Sequence, residues 1–436
     1  MLNAAVGTMP SWSATSTTAL VRNSLLIRYA PSSAIAVGGE SAATSFMQPA
    51  LDYYQQLSST NSTALSNFSS SSSSSSRRDL LSGKLDIALS SAPLNAVSND
   101  IPDAQVAQYV QIPVAATAVA LGYNLSFPST VTISATVGGQ LLSTTTNDSC
   151  QALLAKYPLV LTPATLSGIF SGQISQWSAS ALQATNPQLN FHALVPVAAS
   201  YVSHGVTHPQ KNQKQVVNCL RFVATPSIAL FGATSGAGTN VTLTDYLSQV
   251  DATDFPAPTE GTPAVVATPL NDNAAIASAI NSTDGALGYL PWSNAQSAGL
   301  STARVQVGSS NQSLTAASVR RDLAAAAVAI AAHGGFSVLQ DPSRYRVASA
   351  GAGYPLVGLD FAITARSAAS NYGGTAIAKY LTWLTQVAPA GIGSSFGPSF
   401  ATGTAATPLP LLFRQYDLSQ LMTMSFNGTS SLGATN

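Results

Sequence analysis

The chain has 436 residues, 46% of them hydrophobic, with 17 basic side chains against 17 acidic ones. Charged residues make up 8%, where ordinary soluble domains carry about 25%. Without a net field the chain has nothing to gather nucleic acid or anionic lipid, which excludes both as partners; its length allows roughly two to three domains.

Residues 1–23 are rich in Ser, Thr and Ala without periodicity and read as a flexible arm. A strand candidate at Leu25–Ile27 follows, then the turn GGES at 38–41. Next comes a helical pattern in which Phe46, Ala50, Tyr53 or Tyr54, and Leu57 share one face. The serine run at 69–76 leads into RRDLLSGKLDIALSSAPL, with Leu80 and Leu81 on a helix and Ile87–Leu89 as a short buried strand. Residues 109–121 are again strand-like, and 158–183 alternate strand, helix and turn around Trp177. The segment 199–226, with His204 and His208, reads as a polar insert. Ala229–Phe231 then delivers the glycine turn of FGATSGAGTNVTLTDYL, whose helix shows Val241, Leu243 or Thr244, and Leu247 on one face. Ala286–Leu290 is a buried strand, and LAAAAVAIAA at 323–332 a buried helix. YPLVGLDFAIT at 354–364 is a strong strand, 374–388 a helix, and the end from 425 a mobile tail. Short apolar strands alternating with helices imply an α/β protein with mainly parallel sheets.

The glycine turn is the most informative stretch for chemistry. Gly236 and Gly238 permit a tight bend, and the helix that follows points bare amides at the same spot, which favours an anion. No Lys or Arg lies within the stretch to pair with that anion.

In these pieces the chain resembles the phosphate-binding proteins that serve bacterial ABC transporters. The likeness runs in order from about Gly38 to Met424. It includes ATSFMQPA at 43–50, Ser73 through DIALSSAPL at 86–94, and LVLTPATLSGIFSGQISQW at 159–177. SGAGTNVTLTDYL at 235–247, DGALGYLPWS at 284–293 and YPLVGLDF at 354–361 complete it. The resemblance implies a two-lobed periplasmic-binding-protein-like fold with a two-strand hinge near Pro113 and Pro355. It divides the chain into lobe one at 24–114 plus 355–424 and lobe two at 115–354, leaving the tail 425–436. It also implies reversible, non-catalytic binding of phosphate or a related small oxyanion by a monomer, and the sequence does not reveal a transporter or receptor partner.

Residue by residue, the family's Ser/Thr-Phe pair falls on Ser45 and Phe46, its serine loop on Ser73 and Ser74, and its glycine turn on Gly236 to Thr239, so that Gly238 and Thr239 are site residues. Two departures stand out. The family's Asp, which accepts the proton of hydrogen phosphate, is Ser91 here, and its Arg aligns with Ala233. Removing one partner of a buried charge pair costs about 2–5 kcal/mol, roughly 30- to several-thousand-fold in affinity. Weakened affinity and relaxed selectivity are therefore expected. Arg77 and Arg78, at the helix start after the serine run, are the candidates for charge compensation. The alternative is an extracellular structural or interaction module that keeps the fold without binding a ligand.

Other signals are weaker. The glycine turn lacks the Lys-Ser/Thr of a P-loop and the third glycine of a dinucleotide fingerprint. His204 and His208 are four apart, but Gly205 and Pro209 argue against a helix there, so no metal site is expected. No nucleophile elbow or triad pattern supports an enzyme, and no cofactor is implied. No run of about 18 apolar residues exists, so membrane insertion is not expected. The first thirty residues show no apolar core after a basic start. Asn61, Asn67, Asn124, Asn147, Asn240, Asn281, Asn311 and Asn427 each open a glycosylation acceptor pattern, which leans towards secretion. Cys150 and Cys219 either close a loop of about 70 residues, worth roughly 4 kcal/mol, or stand as separate thiols.

Overall fold

The computed structural model describes residues 34–57, 65–125, 131–137, 140–146, 158–186, 193–196, 201–203, 206–208, 214–217, 227–266, 268–332, 353–368, 371–387, 407, 409–426 and 429–430. The arm at 1–23, the strand candidate Leu25–Ile27, His204, Cys150 and Cys219 lie outside them.

The first lobe begins with β1 (Val37–Glu40), helix α1 (Thr44–Leu57), β2 (Ser69–Ser71), α2 (Ser73–Leu81) and β3 (Ile87–Ser90). The serine run is thus split by Ser72, whose hydroxyl caps α2 by accepting from the Ser75 amide at 3.2 Å. The sixteen-residue strand β4 (Tyr109–Asn124) leads into the second lobe. There α3 (Pro163–Phe170) starts on a Thr162–Thr165 capping box with proline in its first turn. It is followed by β5 (Ala229–Ala233), α4 (Gly238–Val250), β6 (Thr268–Leu270), α5 (Asn273–Ser282) and β7 (Ala286–Pro291). The chain returns along β8 (Val357–Ala365).

These strands form one curved sheet in the order β6-β5-β7-β4-β8-β3-β1-β2, with Ser301–Thr302 paired onto β4. Pairing is parallel on both flanks and antiparallel in the middle, where β4 and β8 cross between lobes. β4 pairs with β8 from Tyr109 to Ala118 and with β7 from Val119 to Asn124. The β4–β8 register slips between Asp360 and Phe361, where Ala115 and Pro113 are the successive partners. Pro113 has no N–H to give a central strand, and a bulge is where sheets tolerate that loss.

Alternation along the strands serves two cores. Ile87, Leu89, Val110, Ile112 and Ala362 pack with Phe46, Met47, Leu51, Tyr380 and Leu381. Ala88, Phe361 and Ile363 face the other core, which continues beneath the second lobe through Leu121, Phe170, Trp177, Leu243, Leu247, Leu287 and Tyr289. Val241, Leu243, Thr244 and Leu247 are buried, as are Asn240, Thr242 and Tyr246, so α4 is enclosed on more than the one face the sequence pattern predicts.

Three details bear on the tail, the insert and the acceptor asparagines. The residues placed in a mobile tail include Ser425–Phe426 and Thr429–Ser430, which form a small sheet with Ser367–Ala368. The described parts of the insert pair as short strands, Tyr201–Ser203 with Val206–His208 and Lys214–Val217 with Ala193–Pro196. Asn240, one of the acceptor asparagines, is fully buried and donates to the carbonyls of Thr234 and Glu260, so it has no surface to offer a sugar.

Candidate functional site

The ends of β1 and β3 and the start of α2 meet on the first lobe, and the turn after β5 faces them from the second. Crevices outside the carboxyl ends of parallel strands are where α/β sheets hold ligands. Gly236 adopts φ +94°, the left-handed region that favours glycine, and a Cβ there would lie 2.4 Å from Ser74 Oγ. The turn also bridges the lobes through its backbone, with the Ser74 amide donating to the Gly236 carbonyl at 3.2 Å.

A carboxylate sits in the middle of this meeting point. Glu40 is only 2% exposed. Its Oε2 accepts from Ser73 Oγ and its Oε1 from Ser91 Oγ, both at 2.5 Å. Ser73 Oγ also accepts from the Ser91 amide at 3.1 Å, which locks the two serines together. The start of α4 closes over the same group: a Cβ on Gly238 would come within 1.8 Å of Glu40 Oε2 and 2.2 Å of Ser91 Oγ. Among the described residues no side chain caps α4, and the buried Thr239 Oγ1 has no hydrogen-bond partner. Beneath Glu40 lies Asp360, fully buried on β8, with Ser91 Oγ at 3.5 Å. Burial, then the charge of Glu40 and the hydrogen bond between the two, hold the Asp360 carboxyl well above the usual carboxylate range.

A second polar cluster lies one helical turn along α2. Arg77 is fully buried and uses all five of its N–H donors. Nε meets Asp100 at 3.0 Å, Nη1 meets Glu260 at 2.7 Å and Ser90 at 2.9 Å, and Nη2 meets Glu260 at 3.0 Å and Ser98 at 2.9 Å. Burial opposes its charge, but Glu260 and Asp100 outweigh that and raise the guanidinium above its ordinary pKa. Glu260 belongs to the second lobe, and its carbonyl accepts from the Gly236 amide at 2.9 Å. The ion pair thus latches α2 to the glycine turn.

Beside the Glu40 centre opens a cleft of about 470 Å³. Serines 41, 70, 71, 72 and 75 line it from the first lobe, with Glu40 at its edge. Thr234, Ser235, Gly238, Thr239, Asn271, Asp272 and Asn273 line it from the second. Its lining holds no lysine or arginine. Asn273 Nδ2 donates across it to Ser41 Oγ at 2.8 Å, and Asp272 is occupied in capping α5 through the Ala274 amide.

Of the residues expected from sequence, Ser73, Ser91 and Gly238 converge on one carboxylate, and Thr239 stands beside them with a free hydroxyl. Ser74 packs against Gly236 and shares a contact with Ser72 Oγ at 3.3 Å. Ser45 and Phe46 do not join them. Ser45 Oγ turns back to the Ala42 carbonyl at 3.3 Å, and Phe46 is buried in the first-lobe core, because the short helical turn at Ser41–Ala43 carries both away from the cleft. Arg78 is exposed and donates to Ser75 Oγ. Arg77 does reach the region between the lobes, but two carboxylates consume it and it does not line the cleft. Sequence reasoning missed Glu40, Glu260 and Asp360. The available signal was their rarity: in a chain with 8% charged residues, a carboxylate straight after two glycines and another inside an apolar strand are exceptions.

Among the described residues no helix is long and apolar enough to cross a membrane, and no group of three His, Cys, Asp or Glu side chains could hold a metal ion. Comparison with curated proteins returns no match. Among solved structures the chain is similar to PfluDING, a high-affinity periplasmic phosphate-binding protein bound with phosphate. That match has 17% identity, 88% of this chain and 92% of the other covered, and TM-score 0.53. It is similar to a DING protein at 16% identity, covering 87% and 92%, TM-score 0.54. It is also similar to a phosphate-binding protein from Stenotrophomonas maltophilia at 18% identity, covering 89% and 94%, TM-score 0.50. These likenesses agree with the two-lobed architecture. The sequence pattern of the PBP superfamily domain matches residues 12–387, and the chain belongs to that superfamily.

Proposed function

We propose that the protein binds phosphate or a related small oxyanion reversibly in the interlobe cleft, without catalysis, through Ser73, Ser91, Thr239 and the start of α4. One observation carries this reading: two serine hydroxyls and a helix N-terminus already converge on a carboxylate, which is itself a small oxyanion. The likeness to PfluDING and the Stenotrophomonas protein, both phosphate-binding proteins, supports the same ligand class. Affinity is weak, because no cation lines the site and its donors are already engaged. The periplasmic setting of PfluDING and the acceptor patterns of the sequence support a placement outside the cell.

Calorimetric titration with phosphate and with sulfate at low ionic strength tests this. Dissociation constants on the order of millimolar for both, weakened further by Ser73→Ala, are expected. Heat-silent titrations of both anions would instead favour the second reading, a structural module that keeps the fold without a ligand. The complete engagement of Arg77 and the filling of the cradle by Glu40 speak for that second reading.

A further inference from the structure

We propose that Glu40 is a tethered anion occupying the oxyanion cradle, so that a ligand enters only by displacing its carboxylate, and that this residue thereby sets the affinity and charge preference of the site. The inference rests on the oxyanion reading given above and deepens it.

The geometry is that of a bound ligand rather than of a structural ion pair. Each Glu40 oxygen takes one serine hydroxyl at 2.5 Å, in a bidentate arrangement. Among the described residues the ion pairs are those of Arg77 and of Lys84 with Asp79, so no cation accounts for the burial of this carboxylate. A buried charge without a counter-ion persists only where hydrogen-bond donors replace water. The two serine hydroxyls are those donors, and the start of α4 packs close against the same carboxylate. Glu40 also borders the cleft, so its side chain has somewhere to go when displaced. The unpartnered hydroxyl of Thr239, buried at the same helix start, is a donor that the tethered carboxylate leaves unused. A free oxyanion with a third oxygen would have a use for it. Displaced but still attached, Glu40 stays close to its competitor and repels multiply charged ligands more than singly charged ones.

The test uses the full chain, with Glu40→Ala and Glu40→Gln beside the native protein. Calorimetry with inorganic phosphate, and thermal melts in sodium acetate against sodium chloride at equal ionic strength, provide independent readouts. Phosphate is expected to bind Glu40→Ala at least tenfold more tightly than the native protein. Acetate should raise the melting temperature of Glu40→Ala and leave the native protein unmoved, because it refills the vacated cradle. Phosphate affinity within twofold of native in both variants, with no acetate effect, overturns the proposal. If that result came with native binding that Ser73→Ala weakens, the oxyanion reading would stand and only the role of Glu40 would fall. Acetate rescue without phosphate binding to any form would do the reverse. Should Glu40→Ala not fold, Glu40→Gln decides: it keeps the size and one acceptor but loses the charge, and a gain in phosphate affinity below threefold counts against the proposal.

Discussion

Ser73 and Arg77 stand one turn apart on α2, and each serves a buried carboxylate in a different way. Around Arg77 two ionised carboxylates are matched by a guanidinium whose every donor is used, and the cluster spans both lobes. Around Ser73 two carboxyls lie together and are met by hydroxyls alone. The first arrangement is built to stay shut, since desolvated opposite charges are expensive to part. The second consists of neutral donors around an anion, and another anion can replace the one that is there.

Removing the cation breaks this comparison most severely. Arg77→Ala leaves Asp100 and Glu260 with buried, unanswered charge, and should cost about 3–5 kcal/mol of stability in urea unfolding. The same substitution on a Glu260→Gln background should cost measurably less, since one of the orphaned charges is then gone.

A pH series separates the two centres. The native pKa of Asp360 is raised, whereas an unfolded aspartate titrates near about 3.9. Its stabilising contribution is therefore full below that unfolded value and is lost as pH rises through the raised native one. Asp360→Asn removes this dependence. The stability of the variant relative to native should accordingly improve from pH 4 towards neutrality, as read from urea midpoints at successive pH values. A constant difference across that range would mean that Asp360 is ionised beside Glu40.

The smallest effect sharpens the contrast between buried and exposed pairs on one helix. Lys84 meets Asp79 at 2.9 Å, but the lysine side chain is 72% exposed. Lys84→Ala should change stability by less than about 0.5 kcal/mol, and less still in high salt.

The sequence makes much of the scaffold legible, because local signals and tertiary need coincide there. Apolar alternation finds β3, β4 and β8, and the glycine pair before α4 marks a turn that only glycine accommodates at Gly236. The sequence places the next helix after the serine run, opening at Arg77, whereas α2 starts four residues earlier at Ser73, because the Ser72 hydroxyl caps it from within the run. The occupant of the site is not legible, for a physical reason. Glu40 is 33 residues from Ser73 and 51 from Ser91, and nothing local tells a carboxylate at a strand end whether to face water or two distant hydroxyls. The fate of Arg77 is hidden likewise, since Glu260 lies 183 residues further along the chain. Alignment reasoning seeks a cation beside the glycine turn and reads its loss at Ala233. Folding supplies one from α2 instead and spends it on the latch.

The register slip between Asp360 and Phe361 has a mechanical consequence. A ribbon of two long antiparallel strands joining the lobes is stiff along most of its length, so bending concentrates where its ladder is interrupted. That interruption belongs to the residue whose carboxyl lies under Glu40. The interruption of the ribbon and the carboxyl packed beneath Glu40 thus belong to a single amino acid, and a substitution at Asp360 acts on both at once.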